Sequence, residues 1–335
     1  MINKSVIKPK KIRLEFCSAC QLSCPLCTNT TKEIVPVVGK GYLRFKNFKK
    51  IIEENKYIKE IEISNYGEVL LNPELIEILQ FASKKNISLY AENGVNCNTA
   101  STELLEALVK YTIKNITFSI DGASQNIYSI YRKNGNINTV FENIDKINNF
   151  KKKYNSKYPK LIWQYIIFGH NINEISTARK IAHEKNMLFR LKLSWDSNYS
   201  PVKNEELLKN ELKLKFTSRD EYKSKKKVNY GRNTCHQLWD EPQINWDGKI
   251  LGCCVNYWKP FEGNAFQDGL QTCLNSESLY SARKMLIGKK PPNTNIPCFT
   301  CGYYKSMQKD NIYLNRNFNY FIYKLLKFCY RKIKL

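Results

Sequence analysis

The chain has 335 residues, 42% of them hydrophobic and 13% aromatic, which suits a globular protein with a sizeable core and excludes both a mini-protein and a disordered chain. Lys and Arg number 54 against 30 acidic residues, a net charge of +24. That balance permits phosphate-rich or anionic-membrane partners without demonstrating them, and Lys, Asn and Ile enrichment also arises from an AT-rich genome. The start MINKSVIKPKKIRLEF has no apolar run of signal-peptide length, and nowhere do about 18 uncharged apolar residues follow one another, so the expected location is cytoplasmic. Twelve cysteines are many for a reducing compartment, where disulfides rarely persist, and they call for metal, redox chemistry or a cluster.

In chain order, Ile12 to Glu15 reads as a short strand running straight into a cysteine-rich loop. Further strand-like runs fall at Ile58–Ser64, Ile87–Glu92, Asn115–Ile120, Leu161–Ile167 and Phe189–Leu193. Between them lie amphipathic helical stretches at Phe45–Asn55, Pro73–Lys85, Thr102–Lys110, Val140–Lys153 and Ile172–Lys185, with Pro73 in the first turn behind a capping Asn72. Six strands alternating with helices predict an α/β fold of parallel units, a partial (β/α)6 TIM-like barrel over residues 1–195, whose site lies at the C-terminal strand ends. Residues 196–233 read as a connector with some helix, in which Lys223, Lys225, Lys226 and Lys227 form a solvated face. A cysteine-bearing region over 234–310, rich in Gly, Pro, Trp and Asn and poor in helix signal, follows it.

The run Cys20-Gln-Leu-Ser-Cys24-Pro-Leu-Cys27 puts three thiols in the loop after the first strand. Structural zinc usually takes four ligands, and the only histidines, His170, His183 and His236, are distant in sequence. Three thiolates suit a four-iron cluster with one iron left open to a substrate or cofactor.

This C-x-x-x-C-x-x-C spacing, after a first strand and ahead of β/α units, resembles the radical S-adenosylmethionine (SAM) superfamily. Leu26 stands where that family usually has an aromatic residue. Asn65-Tyr66-Gly67-Glu68 resembles its Gly-Gly-Glu motif, with Tyr66 replacing the first glycine. The resemblance implies that Gly67 lets backbone approach the methionyl part of SAM and that Glu68 pairs with its ammonium. It also implies that Ser119 and Asp121, in Ser119-Ile120-Asp121-Gly122, line the ribose and methionine, and that Gln164 faces the cofactor, although a strand-interior Gln can also satisfy a core hydrogen bond. Asn93-Gly94 matches a further family position and reads equally as an ordinary turn. The implied chemistry is reductive cleavage of SAM to a 5′-deoxyadenosyl radical that abstracts a substrate hydrogen, with flavodoxin or ferredoxin as a typical electron donor.

A second thiol set comprises Cys235, Cys253, Cys298 and Cys301. Four thiols can hold a [4Fe–4S] cluster with every iron ligated, or equally zinc. In the context of the first motif, the set resembles the auxiliary-cluster extension of the same superfamily, the SPASM or twitch domain. No further cysteine follows in Gly302-Tyr303-Tyr304-Lys305, so the one-cluster twitch form is the better match, and the Gly-x4-Cys spacing selects Cys253 over Cys254. The intervals are similar to those of the twitch-bearing aminocyclitol dehydrogenases, which oxidise an alcohol of 2-deoxy-scyllo-inosamine to a ketone. In such a reaction the auxiliary cluster takes the second electron. The other five cysteines, Cys17, Cys97, Cys254, Cys273 and Cys329, receive no ligand role.

Beyond Asp310 no acidic residue occurs. In helical register Lys324, Lys327, Arg331 and Lys334 share one side of a tail, 311–335, whose apolar residues include Phe321, Leu325 and Phe328. Such a tail either lies on an anionic membrane, making the protein membrane-peripheral, or packs on the barrel. The leading expectation is a radical SAM oxidoreductase acting on a small-molecule or glycan-type alcohol. A peptide maturase is the second reading, although with about eleven residues ahead of Ile12 no separate N-terminal peptide-recognition domain is expected. No RNA-binding module supports a nucleic-acid substrate, and a non-catalytic cluster- or zinc-binding protein ranks last.

Overall fold

The computed structural model describes residues 6–203, 206, 208–209, 215–230 and 234–314. The basic tail with Lys324, Lys327, Arg331 and Lys334 lies outside the described residues, as do Cys329 and parts of the 196–233 connector.

Six strands, β1 (Lys11–Leu14), β2 (Glu60–Glu62), β3 (Ser88–Val95), β4 (Asn115–Ser119), β5 (Lys160–Ile167) and β6 (Leu188–Leu193), lie side by side in chain order, each parallel to the next. Helices α1 (Phe45–Glu54), α2 (Leu75–Lys84), α3 (Thr102–Lys110), α4 (Gln125–Tyr131), α5 (Ile137–Lys153) and α6 (Ile175–Glu184) return the chain between strands. The result is the expected α/β architecture, a partial TIM-like barrel. Its strands follow from apolar, β-branched runs that bury both faces, as in β5, where only Lys160 is exposed. Trp163 at the centre of β5 is fully buried, and its indole N–H donates to the Ile120 carbonyl at 2.7 Å. Ser101, Ser124 and Asn136 cap α3, α4 and α5 by accepting backbone N–H groups.

Three local expectations change. Asn72 Oδ1 accepts the Glu74 N–H at 2.9 Å as a cap would, but the regular helix does not start at Pro73. The Asn72 side chain donates to the Phe16 and Leu43 carbonyls at 2.9 and 3.0 Å, fastening the segment after β1, and α2 begins two residues past Pro73. Asn93-Gly94 is not a turn, because β3 continues to Val95 with a register irregularity against β4. Helix α4 is too short for periodicity to reveal, since only Tyr128 and Tyr131 are buried on it.

The connector contains α7 (Arg219–Lys226), capped by Ser218, with no buried residue on it. Beyond it come α8 (Gln237–Asp240), β7 (Gln243–Ile244), β8 (Lys249–Ile250), β9 (Phe261–Asn264), α9 (Leu270–Leu274), α10 (Glu277–Leu286) and α11 (Gly302–Lys309). The expectation of little helix here therefore fails. Leu279, Ala282, Met285 and Leu286 of α10, together with Tyr304 and Met307 of α11, bury their apolar sides in the core shared with the barrel. β7 pairs parallel with the outer edge of β1, and β8 and β9 continue antiparallel, so one nine-stranded sheet spans both cysteine regions. Among the described residues no helix is long and apolar enough to cross a membrane.

The barrel interior is polar. Lys11 lies 3.9 Å from Glu92 and 3.5 Å from Glu241. Arg13 lies 3.6 Å from Glu241 and donates from Nε to Gln243 at 3.1 Å. Glu15, fully buried, accepts from the Tyr66 N–H at 3.0 Å through Oε2, while Oε1 has no partner. Burial pushes the Glu15 carboxyl up to about 8 and Glu62 up to about 6. A raised carboxyl keeps in the native chain a proton that the unfolded chain releases from its ordinary value of 4.5 upward. Its contribution to stability therefore falls as pH rises, until the folded value is passed. Glu15→Gln is expected to gain melting temperature relative to the parent as pH rises from about 5 to 8, by at most about 1.4 kcal/mol per pH unit. Melting curves with a pH-independent difference would contradict this.

Candidate functional site

The loop after β1 is held from both sides. Ser18 donates its N–H to the Gly41 carbonyl at 2.9 Å, its hydroxyl contacts the 39–41 backbone, and its carbonyl accepts from Asn29 at 2.6 Å. The loop lies directly on the segment after β2, where Glu68 N–H donates to the Ala19 carbonyl at 2.8 Å. A Cβ on Gly67 would overlap the backbone of Cys17, Ser18 and Ala19. Glycine is thus needed for the close approach of the chain's own cysteine loop.

Cys20, Cys24 and Cys27 open together on one cavity of about 260 Å³, with Gly67, Glu68, Ser119 and Gln164 on its other walls. Two thiols receive N–H groups: Asn96 Nδ2 lies 3.6 Å from Cys20 Sγ, and Arg132 Nη1 lies 3.6 Å from Cys24 Sγ. Burial pushes the Cys20 thiol up to about 12, and the charges of Glu68, Cys24 and Cys27 add to it. Cys24 is raised by burial, against the pull of Arg132. Thiols that raise one another in this way resist ionising alone and suit a shared cationic centre.

Glu68 is fully buried, accepting from Leu70 N–H at 3.2 Å and Asn96 N–H at 2.6 Å. Burial pushes its carboxyl up to about 7, against those hydrogen bonds and Arg132. Asp121, expected on the cavity wall, lies behind it. Its Oδ2 sits 2.7 Å from both Nε and Nη2 of Arg132, and its Oδ1 accepts from Ile166 N–H at 2.7 Å. Arg132 takes the place on the wall that was expected of Asp121. Sequence reasoning missed Arg132 because α4, which delivers it, went unread. The signal was an arginine just past a short Ser-capped segment, eleven positions beyond Asp121. Leu22, Cys24, Tyr131, Ile166 and Phe168 form a separate apolar cluster beside the cavity, with Leu26 packed against it.

The second set also converges. Cys235, Cys253, Cys298 and Cys301 line one apolar cavity with Leu238, Phe261 and Tyr304. Burial raises Cys298, followed by the charges of Cys235, Cys253 and Cys301. Cys254 lies outside this cavity, its Sγ 3.3 Å from Gln237 Oε1. None of the described cysteines is in a disulfide, and Cys17, Cys97 and Cys273 are buried elsewhere. Among the described residues no three His, Cys, Asp or Glu side chains converge tightly enough for a single ion. The three thiols of the first cavity suit a [4Fe–4S] cluster with one iron left open, and the four of the second suit either a saturated cluster or zinc.

Tyr66 joins the two cavities. It lines the first, and its hydroxyl donates at 3.1 Å to the carbonyl of Asn256, which lines the second. Asn65 Nδ2 donates to the Cys254 carbonyl at 3.4 Å alongside it.

A parallel partial barrel with three thiols at the end of its first strand and a carboxylate beyond its second defines a class of barrel enzymes built around a metal centre. Residues 14–177 match the family model described as the Radical SAM superfamily, so this part of the chain is a radical SAM domain. Such a domain implies an enzyme with a [4Fe–4S] cluster and bound SAM. No curated protein matches the chain. Among solved structures, Streptococcus suis SuiB bound to S-adenosylmethionine is similar at 16% identity and TM-score 0.60, over 90% of this chain and 73% of that one. Native anSMEcpe with bound AdoMet is similar at 14% identity and TM-score 0.59, over 90% of this chain and 96% of that one. At such identities the likeness shows the fold alone.

Gly67→Ala is expected to push the cysteine loop off the β2 segment. It should lower the melting temperature and the iron retained after anaerobic reconstitution, while Gly302→Ala, where a Cβ meets nothing within 4 Å, leaves both near the parent values. Equal iron in both variants would show that the contact does not hold the loop.

Proposed function

We propose that the protein is a radical SAM oxidoreductase with a twitch-type auxiliary domain, removing two electrons from an alcohol of a small sugar- or aminocyclitol-type substrate. The observation that carries this reading is the pairing of two cysteine cavities through Tyr66, the first with three thiols and the second with four. Three thiolates leave one iron open for a ligand, whereas four saturate a cluster and leave electron transfer as its natural work.

Cys20, Cys24 and Cys27 would hold the first cluster, with N–H groups of Asn96 and Arg132 directed at Cys20 and Cys24. When bound, SAM supplies the radical that removes a hydrogen atom, once an external donor such as flavodoxin or ferredoxin has provided one electron. The chain's own residues bind and orient. Glu68 suits the amino-acid ammonium of SAM, because a cation beside its raised carboxyl restores the charge that burial disfavours. Arg132 suits the carboxylate, since it lines the cavity with only Asp121 as acidic partner. Ser119 and Gln164 offer polar groups on the wall between, and Leu26, Tyr131 and Ile166 offer an apolar face to the nucleoside. Cys235, Cys253, Cys298 and Cys301 would hold the auxiliary cluster. Abstraction of the carbinol hydrogen leaves one electron and one proton to be removed. A cluster held by Cys235, Cys253, Cys298 and Cys301 would supply the acceptor for that electron, with Tyr66 and Asn256 lying between the two thiol sets, and the proton would leave to solvent or to a side chain of the cavity.

Anaerobic reconstitution should give about eight irons per chain, four for each cluster, and reductive cleavage of SAM to 5′-deoxyadenosine. Cys24→Ala should abolish cleavage, and Glu68→Gln and Arg132→Met should each weaken SAM binding about tenfold. Cys298→Ala should lose about half the iron and the oxidised product. Zinc bound by the second set, or full turnover in Cys298→Ala, would overturn the electron-acceptor role.

A further inference from the structure

Strand β6 turns two cations into the barrel. Phe189 packs on Trp163 and Tyr165 on the helix side, so the alternate residues Arg190 and Lys192 face inward, in register with Gln164 and Ile166. Lys192 lines the first cavity, and its Nζ has one hydrogen-bond partner, Gln164 Oε1, at 3.5 Å. Arg219, the first residue of α7, donates from Nε to the Leu193 carbonyl at 3.2 Å, and its guanidinium lies 4.8 Å from the Tyr230 ring centre. It is thereby pinned at the C-terminal end of the same strand.

These cations differ from the others in the barrel. Lys11 and Arg13 face Glu92 and Glu241, and Arg132 is held by Asp121. Among the described residues, no carboxylate lies within ion-pair distance of Arg190, Lys192 or Arg219. Burial lowers Lys192, and the charge of Arg219 lowers it further, against the pull of Asp121, with smaller opposing effects from Arg190 and Cys254. Lys192 is thus electrostatically coupled both to the residue holding Arg132 and to the neighbour of the auxiliary thiol Cys253. Its side chain opens on the cavity that carries Cys20, Cys24 and Cys27, where a substrate would meet the first thiol set. A desolvated ammonium on the same side of the sheet as Arg190 and near Arg219, with no carboxylate among the described residues within ion-pair distance, favours a multiply charged anion over a single carboxylate, because only the former engages several donors at once. Trp195, 47% exposed, lines the same cavity and adds a flat apolar surface beside the cations.

We infer that Lys192, with Arg190 and Arg219, forms the anion subsite of the substrate cavity and that the substrate carries a phosphate or diphosphate ester. This inference rests on the proposed radical SAM reading for what happens to the substrate, and on the β6 geometry alone for the subsite.

The test titrates the reconstituted full-length protein, under anaerobic conditions and saturated with SAM, with inorganic pyrophosphate and with acetate, followed by calorimetry. Pyrophosphate should bind without displacing SAM, and acetate should bind far more weakly. Lys192→Met and Arg219→Gln should each weaken pyrophosphate at least about tenfold, the effect of losing one charge-assisted contact. Lys223→Gln, an exposed lysine of the same helix as Arg219, should leave it within about twofold, since screened surface charge adds little. If Lys192→Met does not fold, Arg219→Gln, which alters the rim, carries the test. Competition between pyrophosphate and SAM would assign the cations to SAM and overturn the subsite. Acetate binding as tightly as pyrophosphate, equal losses in Lys223→Gln, or no pyrophosphate binding would also overturn it. Cleavage of SAM is measured separately, so cleavage without pyrophosphate binding defeats the subsite alone, and pyrophosphate binding without cleavage defeats the radical SAM reading alone.

Discussion

The outer edge of β1 is the constraint on which the rest of the structure depends. Its inner edge pairs with β2, and its end releases the loop carrying Cys20, Cys24 and Cys27. Its outer edge receives β7, through Arg13 N–H to the Pro242 carbonyl at 3.0 Å and Glu15 N–H to the Ile244 carbonyl at 2.9 Å. An unpaired strand edge would be a liability in any open barrel. Here its pairing also fixes how far the second thiol set stands from the first, because the β7–β8 hairpin ends two residues before Gly252-Cys253. The side chains of β1 tie the same junction, with Arg13 bonded to Gln243 of β7 and facing Glu241 just before it. Removing one member of such a buried network leaves the remaining charges uncompensated, which costs more than the network contributes when complete.

The electrostatics of the interior divide along the sheet. On the β1 and β2 side, carboxyls outnumber cations, and burial raises both Glu15 and Glu62, Glu15 the further. On the β6 side, no carboxylate among the described residues lies within ion-pair distance of Arg190, Lys192 or Arg219. Between them, Glu68 and the Asp121-held Arg132 form a pair of opposite charges across one wall. That pair matches a zwitterionic amino-acid group, and the outlying cations match an anion. The net charge of +24 says nothing of this arrangement. It is the absence of a local counter-charge, and not the total, that gives a cation a binding role.

Much of the fold was legible because parallel strands buried on both faces leave continuous apolar runs, and β4, β5 and β6 fall within two residues of their expected bounds. Helix α3 coincides with its expected range, since Ser101 supplies a cap that sequence alone displays. The thiols were legible because close spacing in one loop needs no tertiary knowledge. What was not legible depends on contacts between distant segments. Helix α4 buries two tyrosines and little else, so no stripe marks it, and with it went Arg132. The helices α10 and α11 gain their stability from packing on the barrel core, a tertiary gain that local propensity cannot announce. Asp121 is expected on the wall because Ser119-Ile120-Asp121-Gly122 resembles the segment that lines the ribose and methionine in the radical SAM superfamily. It lies one layer deeper because Arg132, invisible in the one-dimensional pattern, comes between it and the cavity.

The departure at Tyr66 has a physical consequence of its own. A glycine there would leave backbone alone between the cysteine loop and the auxiliary region. Tyrosine instead spans that gap, packing with Ile34, Val38 and Leu251 in a small apolar cluster, while its hydroxyl reaches the Asn256 carbonyl. The adjacent Gly67 has no freedom to compensate, since the Cys17 to Ala19 backbone fills the space its Cβ would need. The pair therefore divides two demands between neighbouring positions. One residue is small so that the first thiol loop can come close, and the other is large so that the second cavity is held against it. A smaller side chain at position 66 would leave a void between two apolar surfaces at the place where the cavities meet, with the loss of packing and the added solvent access that such a void brings. The coupling between the two thiol sets is thus built from side-chain volume as well as from the shared sheet edge.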